Sequence, residues 1–84
     1  MYYVYILKSH KNKDIYVGRS SDLRTRLAFH NSGKVKSTKA YTPWTLIYYE
    51  AYRSKTDSTK REKELKIHAA KEALRQRLQN SLLF

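Results

Sequence analysis

The stretch that decides the fold is Tyr2-Tyr3-Val4-Tyr5-Ile6-Leu7, followed after His10-Lys11-Asn12-Lys13 by Ile15-Tyr16-Val17-Gly18. Both runs are rich in β-branched and aromatic residues, and the polar connection with Asn12 is a turn signal, so the pair predicts a β-hairpin. Tyr5 and Tyr16 then fall on adjacent strands, where facing side chains come within a few ångströms, and their phenols can share one face. Tyrosine is also an ordinary strand residue, and on these two runs alone packing is the simpler account of both.

Beyond Gly18, Ser21 or Asp22 can accept hydrogen bonds from the first free amides of a helix, and Asn31-Ser32-Gly33 supplies a stop, so a helix of about three turns is expected from Leu23 to His30. At 3.6 residues per turn, Leu23, Arg26, Leu27 and His30 fall within one arc of about 100°. Arg26 and His30 therefore border the apolar stripe, where they can snorkel at its edge or point into a cleft. Residues 31–45 read as a loop, with Lys34, Lys36 and Lys39 scattered through it and Pro43 biasing Thr42 toward extended geometry. Tyr41 and Trp44 are either anchors that pin this loop to the core or stacking surfaces for bases. Thr45 to Tyr52 is the third strand, by its aromatic and branched content.

A second helix opens at Ser54-Lys55-Thr56-Asp57, which offers several caps. Ser58, Glu62 and Leu65 occupy one narrow arc on it, at about 0°, 40° and −20° on a helical wheel. Glu62 thus shares a face with an apolar residue. Its structural role would be an i, i+4 pair with Lys66; its functional role would be an inward-turned carboxylate suited to a divalent cation. His68 to Leu78 predicts a support helix with Ala70, Ala73 or Leu74, Arg77 and Leu78 on the packed face, and Leu82-Leu83-Phe84 is expected to fold back onto the core or fray. There is no internal repeat.

Composition narrows the class. Eighty-four residues predict one domain, residues 1–84, with a single modest core, since a chain this size buries only about 60–65% of its unfolded surface. The absence of cysteine excludes disulfides, thiolate metal sites and thiol nucleophiles. No apolar run approaches a membrane span, and residues 1–20 lack a signal-peptide profile, so the expected location is cytoplasmic. Eighteen Lys and Arg against seven Asp and Glu give a net charge of +11, a self-repulsion that a polyanion would relieve. The basic residues are interleaved with aromatics along the whole chain, which suits a curved phosphate backbone better than a flat lipid surface. Nucleic acid is the expected partner.

Taken in order, Tyr3-Val4-Tyr5, Tyr16-Val17-Gly18, Asp22-Leu23-Arg24-Thr25-Arg26-Leu27, His30-Asn31-Ser32-Gly33, Pro43-Trp44 before Leu46-Ile47-Tyr48-Tyr49-Glu50, and Lys60-Arg61-Glu62-Lys63-Glu64-Leu65-Lys66 resemble a GIY-YIG nuclease domain of the small stand-alone kind. The resemblance runs from about residue 2 to 67. Each motif is weak alone, and their order and spacing make the combination specific. Tyr3 stands where the namesake has glycine, and Val4 and Val17 where it has isoleucine; both signature phenols are kept.

The resemblance implies an α+β fold, a small three-stranded antiparallel sheet flanked by about three helices in the order β-β-α-β-α-α. It also implies a one-metal phosphodiesterase site built from Tyr5, Tyr16, Arg26, His30 and Glu62. Glu62 would hold one Mg²⁺ or Mn²⁺, Arg26 would grip the phosphate, a tyrosine would take the proton of the attacking water, and His30 would relay it or orient a phenol. Arg19 matches an often basic position, and Arg24, Lys34, Lys36 and Lys39 join it as candidate phosphate contacts. The expected activity is a metal-dependent endonuclease of low sequence specificity acting on nucleic acid, DNA foremost, with repair or recombination as its setting. The competing class is a non-catalytic basic module that binds DNA or RNA on the same fold.

Overall fold

Side chains alternate sides along a strand, so the opening run divides its residues between the two faces of a sheet. β1 (Tyr2–Ser9) and β2 (Ile15–Ser20) pair antiparallel as the predicted hairpin, and β3 (Trp44–Tyr52) pairs antiparallel with the other side of β1, giving the order β2-β1-β3. The computed structural model describes residues 1–83. The hairpin turn is closed by short side chains: Ser9 Oγ accepts from the amides of Lys11 (3.0 Å) and Asn12 (3.2 Å), and Asn12 Oδ1 accepts from Asp14 N at 3.0 Å. Lys13, at φ 62°, takes the left-handed residue of the turn.

Two helices start at the expected caps, and a third begins without a side-chain cap. α1 (Leu23–Asn31) starts at Asp22, whose carboxylate accepts from Thr25 N at 3.1 Å and Thr25 Oγ1 at 2.8 Å, and it ends at Ser32 and Gly33, the latter at φ 77°. α2 (Lys55–Leu65) is capped by Ser54, which accepts from Asp57 N. α3 (His68–Arg77) comes last. The fold class is therefore the α+β arrangement the sequence predicts.

The sheet has a core on each face. On one, Val4 and Ile6 of β1 and Ile15 and Val17 of β2 pack with Leu65 of α2 and Leu74 of α3. On the other, Tyr5, Leu7 and Trp44 pack with Tyr16, Leu23, Leu27 and Leu46 beneath α1. The site residues on α1 and on α2 thus approach the sheet from opposite sides, and they meet at β2, an edge strand.

Some expectations need adjusting. β3 begins at Trp44, one residue early, because Trp44 still pairs with Ser9 of β1; the Asn31 amide holds the same residue from α1, accepting from Trp44 N (2.6 Å) and donating to Trp44 O (3.0 Å). Trp44 is buried, and its indole N–H donates to Thr38 O at 2.9 Å, so it is an anchor and not a stacking surface. Tyr41 stays exposed. On α3 the packed stripe is Ala70, Leu74 and Leu78, spaced i, i+4, i+8; Ala73 and Arg77 are exposed at its margin, beside a cleft toward Arg61 and Glu64 of α2. Leu82 does fold back, and its carbonyl accepts from the buried Lys8 ammonium at 2.5 Å. Phe84, grouped with it in the sequence, lies outside the described residues.

Candidate active site

The register of the hairpin sets the site. Tyr5 pairs with Gly18 and Leu7 with Tyr16, so the two phenols sit on the same face, the one covered by α1, offset diagonally by one pair. Gly18 is needed because the Tyr5 ring lies across it: a Cβ there would overlap the ring and the hydroxyl. Tyr5 is 1% exposed, whereas Tyr16 is half-buried.

His30, on the last turn of α1, enters between them. Its ring centroid is 5.8 Å from that of Tyr5 and 5.1 Å from that of Tyr16, edge-on to both, and Tyr16 rests in turn on Trp44 at 6.2 Å. Tyr5 Oη lies 2.8 Å from His30 Nε2, and Thr38 Oγ1 lies 2.7 Å from His30 Nδ1. The Thr38 hydroxyl has an acceptor of its own in Val35 O at 3.4 Å. We therefore assign the proton of the neutral imidazole to Nδ1, donating to Thr38, which leaves Nε2 to accept from Tyr5. His30 is fully buried, so it does not snorkel at the edge of the stripe. Burial first, and the positive charge of Arg26 second, push its pKa from 6.5 down to about 4. The Tyr5 phenol moves up from its ordinary 10.0: burial outweighs Arg26, which pulls it down, and Tyr16 and Glu62 push it further up. Tyr5 thus senses both Arg26 on α1 and Glu62 on α2.

Glu62 approaches β2 from the other face. Its carboxylate lies 3.6 Å from Arg19 Nε and 3.2 Å from Lys66 Nζ, so the predicted i, i+4 pair forms beside the inward-facing contact. Arg19 Nε is buried with no hydrogen-bond partner, a donor held open next to the carboxylate. Among the described residues no group of three His, Cys, Asp or Glu could hold a metal together.

The matched family model supplies the identification: the GIY-YIG catalytic domain aligns with residues 1–78. This chain belongs to the GIY-YIG family. Its relatives include a UPF0213 protein of Staphylococcus haemolyticus, 37% identical over 75 residues that cover 88% of this chain and 90% of the relative, and a UPF0213 protein of Staphylococcus epidermidis at 36% identity over the same length. Among solved structures, the solution NMR structure of the UPF0213 protein BH0048 from Bacillus halodurans matches with TM-score 0.56 and 36% identity, covering 88% of this chain and 82% of that one. GIY-YIG is a nuclease family, and its domain implies contact with nucleic acid.

In this GIY-YIG domain the candidate site residues divide by place. Tyr5, Tyr16 and His30 form one contact cluster with Arg26 in electrostatic reach, and Glu62, ion-paired with Arg19 of β2, also lies in electrostatic reach of Tyr5. Arg24 is exposed at the start of α1, beside Tyr3 and Tyr49. Lys34, Lys36 and Lys39 are exposed on the segment between α1 and β3, where the Lys34 ammonium lies 5.2 Å from the Phe29 ring centroid. No helix among the described residues is long and apolar enough to cross a membrane.

Thr38 and the Glu50 network are absent from the sequence reading. Thr38 sits in irregular chain, where no periodicity flags it. Glu50 accepts from Tyr48 Oη (2.6 Å), Tyr52 Oη (2.5 Å), Arg61 Nε (2.8 Å) and Arg61 Nη2 (3.0 Å), and Arg61 also reaches Glu64. Despite the opposing effect of burial, these donors hold the Glu50 carboxyl down at about 2. The spacing Tyr48-x-Glu50-x-Tyr52 was its signal, because period two puts all three on one strand face. The network ties β3 to α2 one residue before Glu62.

Proposed function

We propose that this chain is a divalent-metal-dependent endonuclease that hydrolyses phosphodiester bonds in nucleic acid, DNA foremost, with low sequence specificity, in a repair or recombination setting. The observation that carries this reading is the buried relay Tyr5–His30–Thr38, whose phenol feels both Arg26 of α1 and Glu62 of α2, the latter paired with Arg19.

The chemistry follows from the groups. A phosphodiester repels nucleophiles because it is anionic, so the site must first supply positive charge. Arg26 offers a planar fork of donors for the phosphate oxygens, and the partly exposed guanidinium of Arg19, paired with Glu62, adds positive charge on β2. Glu62 is the side chain that would hold Mg²⁺ or Mn²⁺. One carboxylate fits an ion that keeps most of its waters, and the ion when bound would neutralise charge building on the phosphate.

Of the two phenols, Tyr5 is the one with somewhere to send its proton. As its oxygen takes a proton from the attacking water, its own proton passes to His30 Nε2, so the phenol ends neutral and the imidazole ends protonated, with Nδ1–H still on Thr38; the bond from phosphorus to the leaving oxygen breaks as the new one forms, and that oxygen takes a proton from bulk water. Burial disfavours the imidazolium most and the Arg26 charge second, and bound phosphate offsets the second of these. Tyr16 braces the imidazole ring. A purely binding module would need the cations but gains nothing from a buried neutral histidine hydrogen-bonded to a phenol.

The test is nicking of supercoiled plasmid by purified protein with and without Mg²⁺ or Mn²⁺. Cleavage should require the cation and should be lost in Glu62→Ala, Arg26→Ala and Tyr5→Phe. Tyr16→Phe, which keeps the ring against His30, should retain most of it. Binding of DNA and RNA with no metal-dependent cleavage of either would instead establish the non-catalytic module.

A further inference from the structure

The α1 face of the sheet carries a second feature outside the relay. Tyr3 and Tyr49 meet edge-on, ring centroids 5.8 Å apart at 70°, and together with Ser21, Asp22, Leu23 and Arg24 they line a cleft of about 380 Å³ at the start of α1. In an edge-on pair one ring presents its edge to the other, so ring faces remain unstacked, and Tyr49 is 53% exposed on a strand otherwise largely packed. Neither ring belongs to the buried clusters or to the hydrogen-bonded relay.

Position and charge say what fits there. Tyr49 pairs directly with Tyr5 across the strands, and Tyr3 precedes Tyr5 by two residues on the same face, about 7 Å along β1. That is a step of about one extended nucleotide from the phenol of the relay. The cleft is not built for phosphate, because Asp22 stands in it and its carboxyl is held below the ordinary carboxylate range, first by the hydrogen bond from the Thr25 amide and then by the Thr25 hydroxyl. A carboxylate with acceptor sites to spare repels a phosphate and welcomes an N–H edge. Arg24, on the opposite sign, suits the backbone of the same strand or the face of a base.

We propose that the Tyr3–Tyr49 cleft is a stacking subsite for one unpaired nucleobase, the neighbour of the nucleotide whose phosphate is cut. A base inside a duplex cannot reach it, so the natural substrate carries a single-stranded or unstacked nucleotide beside the cut, as in a flap, a bulge or a displaced strand. This rests on the nuclease reading above and adds the structural class of the substrate to it.

The experiment is equilibrium binding, without divalent cation, of a fluorescent single-stranded oligodeoxynucleotide and of its duplex to the full chain, with an abasic nucleotide walked along the single strand. Stacking of one base on an aromatic predicts that Tyr49→Ala weakens single-strand binding about 5- to 100-fold and leaves duplex binding within about twofold, while Tyr49→Phe binds like the parent. The abasic scan should show a loss at one position in the parent and no such position in Tyr49→Ala. Tyr49 is exposed, so its replacement leaves the core intact, which circular dichroism checks. Equal loss on single strand and duplex, or an abasic scan unchanged by Tyr49→Ala, would overturn the subsite while plasmid cleavage by the parent persists. Absence of nucleic-acid binding by the parent would overturn the nuclease reading and the subsite with it.

Discussion

A histidine sealed in a core beside an arginine makes acid sensitivity calculable. The His30 imidazole titrates at about 4 in the fold and near 6.5 in the unfolded chain. Its folded pKa is the lower one, so as pH falls through 6.5 the unfolded chain takes up a proton that the folded protein refuses. Stability is therefore at full value above pH 6.5, declines from there to about pH 4, and loses nothing more from this group below that. At about 1.4 kcal/mol per pH unit over that interval, the loss is about 3.5 kcal/mol, a large share of the stability of a small domain. The assay is urea unfolding at half-unit steps from pH 7.5 to 4.5, run in parallel on His30→Gln, whose amide can serve both Tyr5 and Thr38 without titrating. The parent should lose stability across the window and the variant should lose much less. Equal slopes in the two proteins, or an imidazole resonance of His30 that titrates at pH 6 or above, would refute the assignment of a neutral buried acceptor.

Other perturbations test neighbouring links. Gly18→Ala should cost about 1–3 kcal/mol in thermal or urea unfolding and strongly reduce cleavage, because the new methyl displaces the Tyr5 ring; a variant as stable and as active as the parent would show that the ring does not depend on that gap. Glu50→Gln should destabilise by about 1–3 kcal/mol at pH 7, since Arg61 loses its main charge partner, and the difference from the parent should shrink as pH falls from 4.5 toward about 2, where the parent carboxylate is itself protonated. Binding of a short duplex should weaken steeply between 50 and 200 mM salt, as about one power of salt is lost per phosphate neutralised; a flat response would argue against an interface made of Arg and Lys.

Much of this architecture is local, and that part was legible. Asp22 and Ser54 cap the helices the sequence predicts, Lys13 and Asn12 turn the hairpin, and the branched and aromatic runs become the three strands. The helical wheel set Arg26 and His30 at the margin of the α1 stripe and Glu62 beside Leu65, which placed them near the sheet. It could not say from which side. That α1 and α2 cover opposite faces follows from the crossover through β3, and the room for the buried Tyr5 ring comes from Gly18, whose role is visible only once the register pairs it with Tyr5. Thr38 was beyond reach for another reason. Its hydroxyl contacts His30 because Trp44 and Asn31 fix an irregular segment, and irregular chain has no period to read. Lys8 shows the same limit: nothing in an alternating strand announces that a lysine will be buried under the carbonyl of Leu82.

The central claim is that side chains from the two faces of the sheet act as one phosphodiesterase site. The most direct measurement is a double-mutant cycle on single-turnover cleavage of a labelled oligonucleotide in saturating Mg²⁺, using Arg26→Ala, Glu62→Ala and the double variant. Groups that serve one transition state are strongly non-additive, so each single change should cost nearly as much as both together. If the losses multiply, or if either single variant cuts at the parental rate, Arg26 and Glu62 do not belong to a common site.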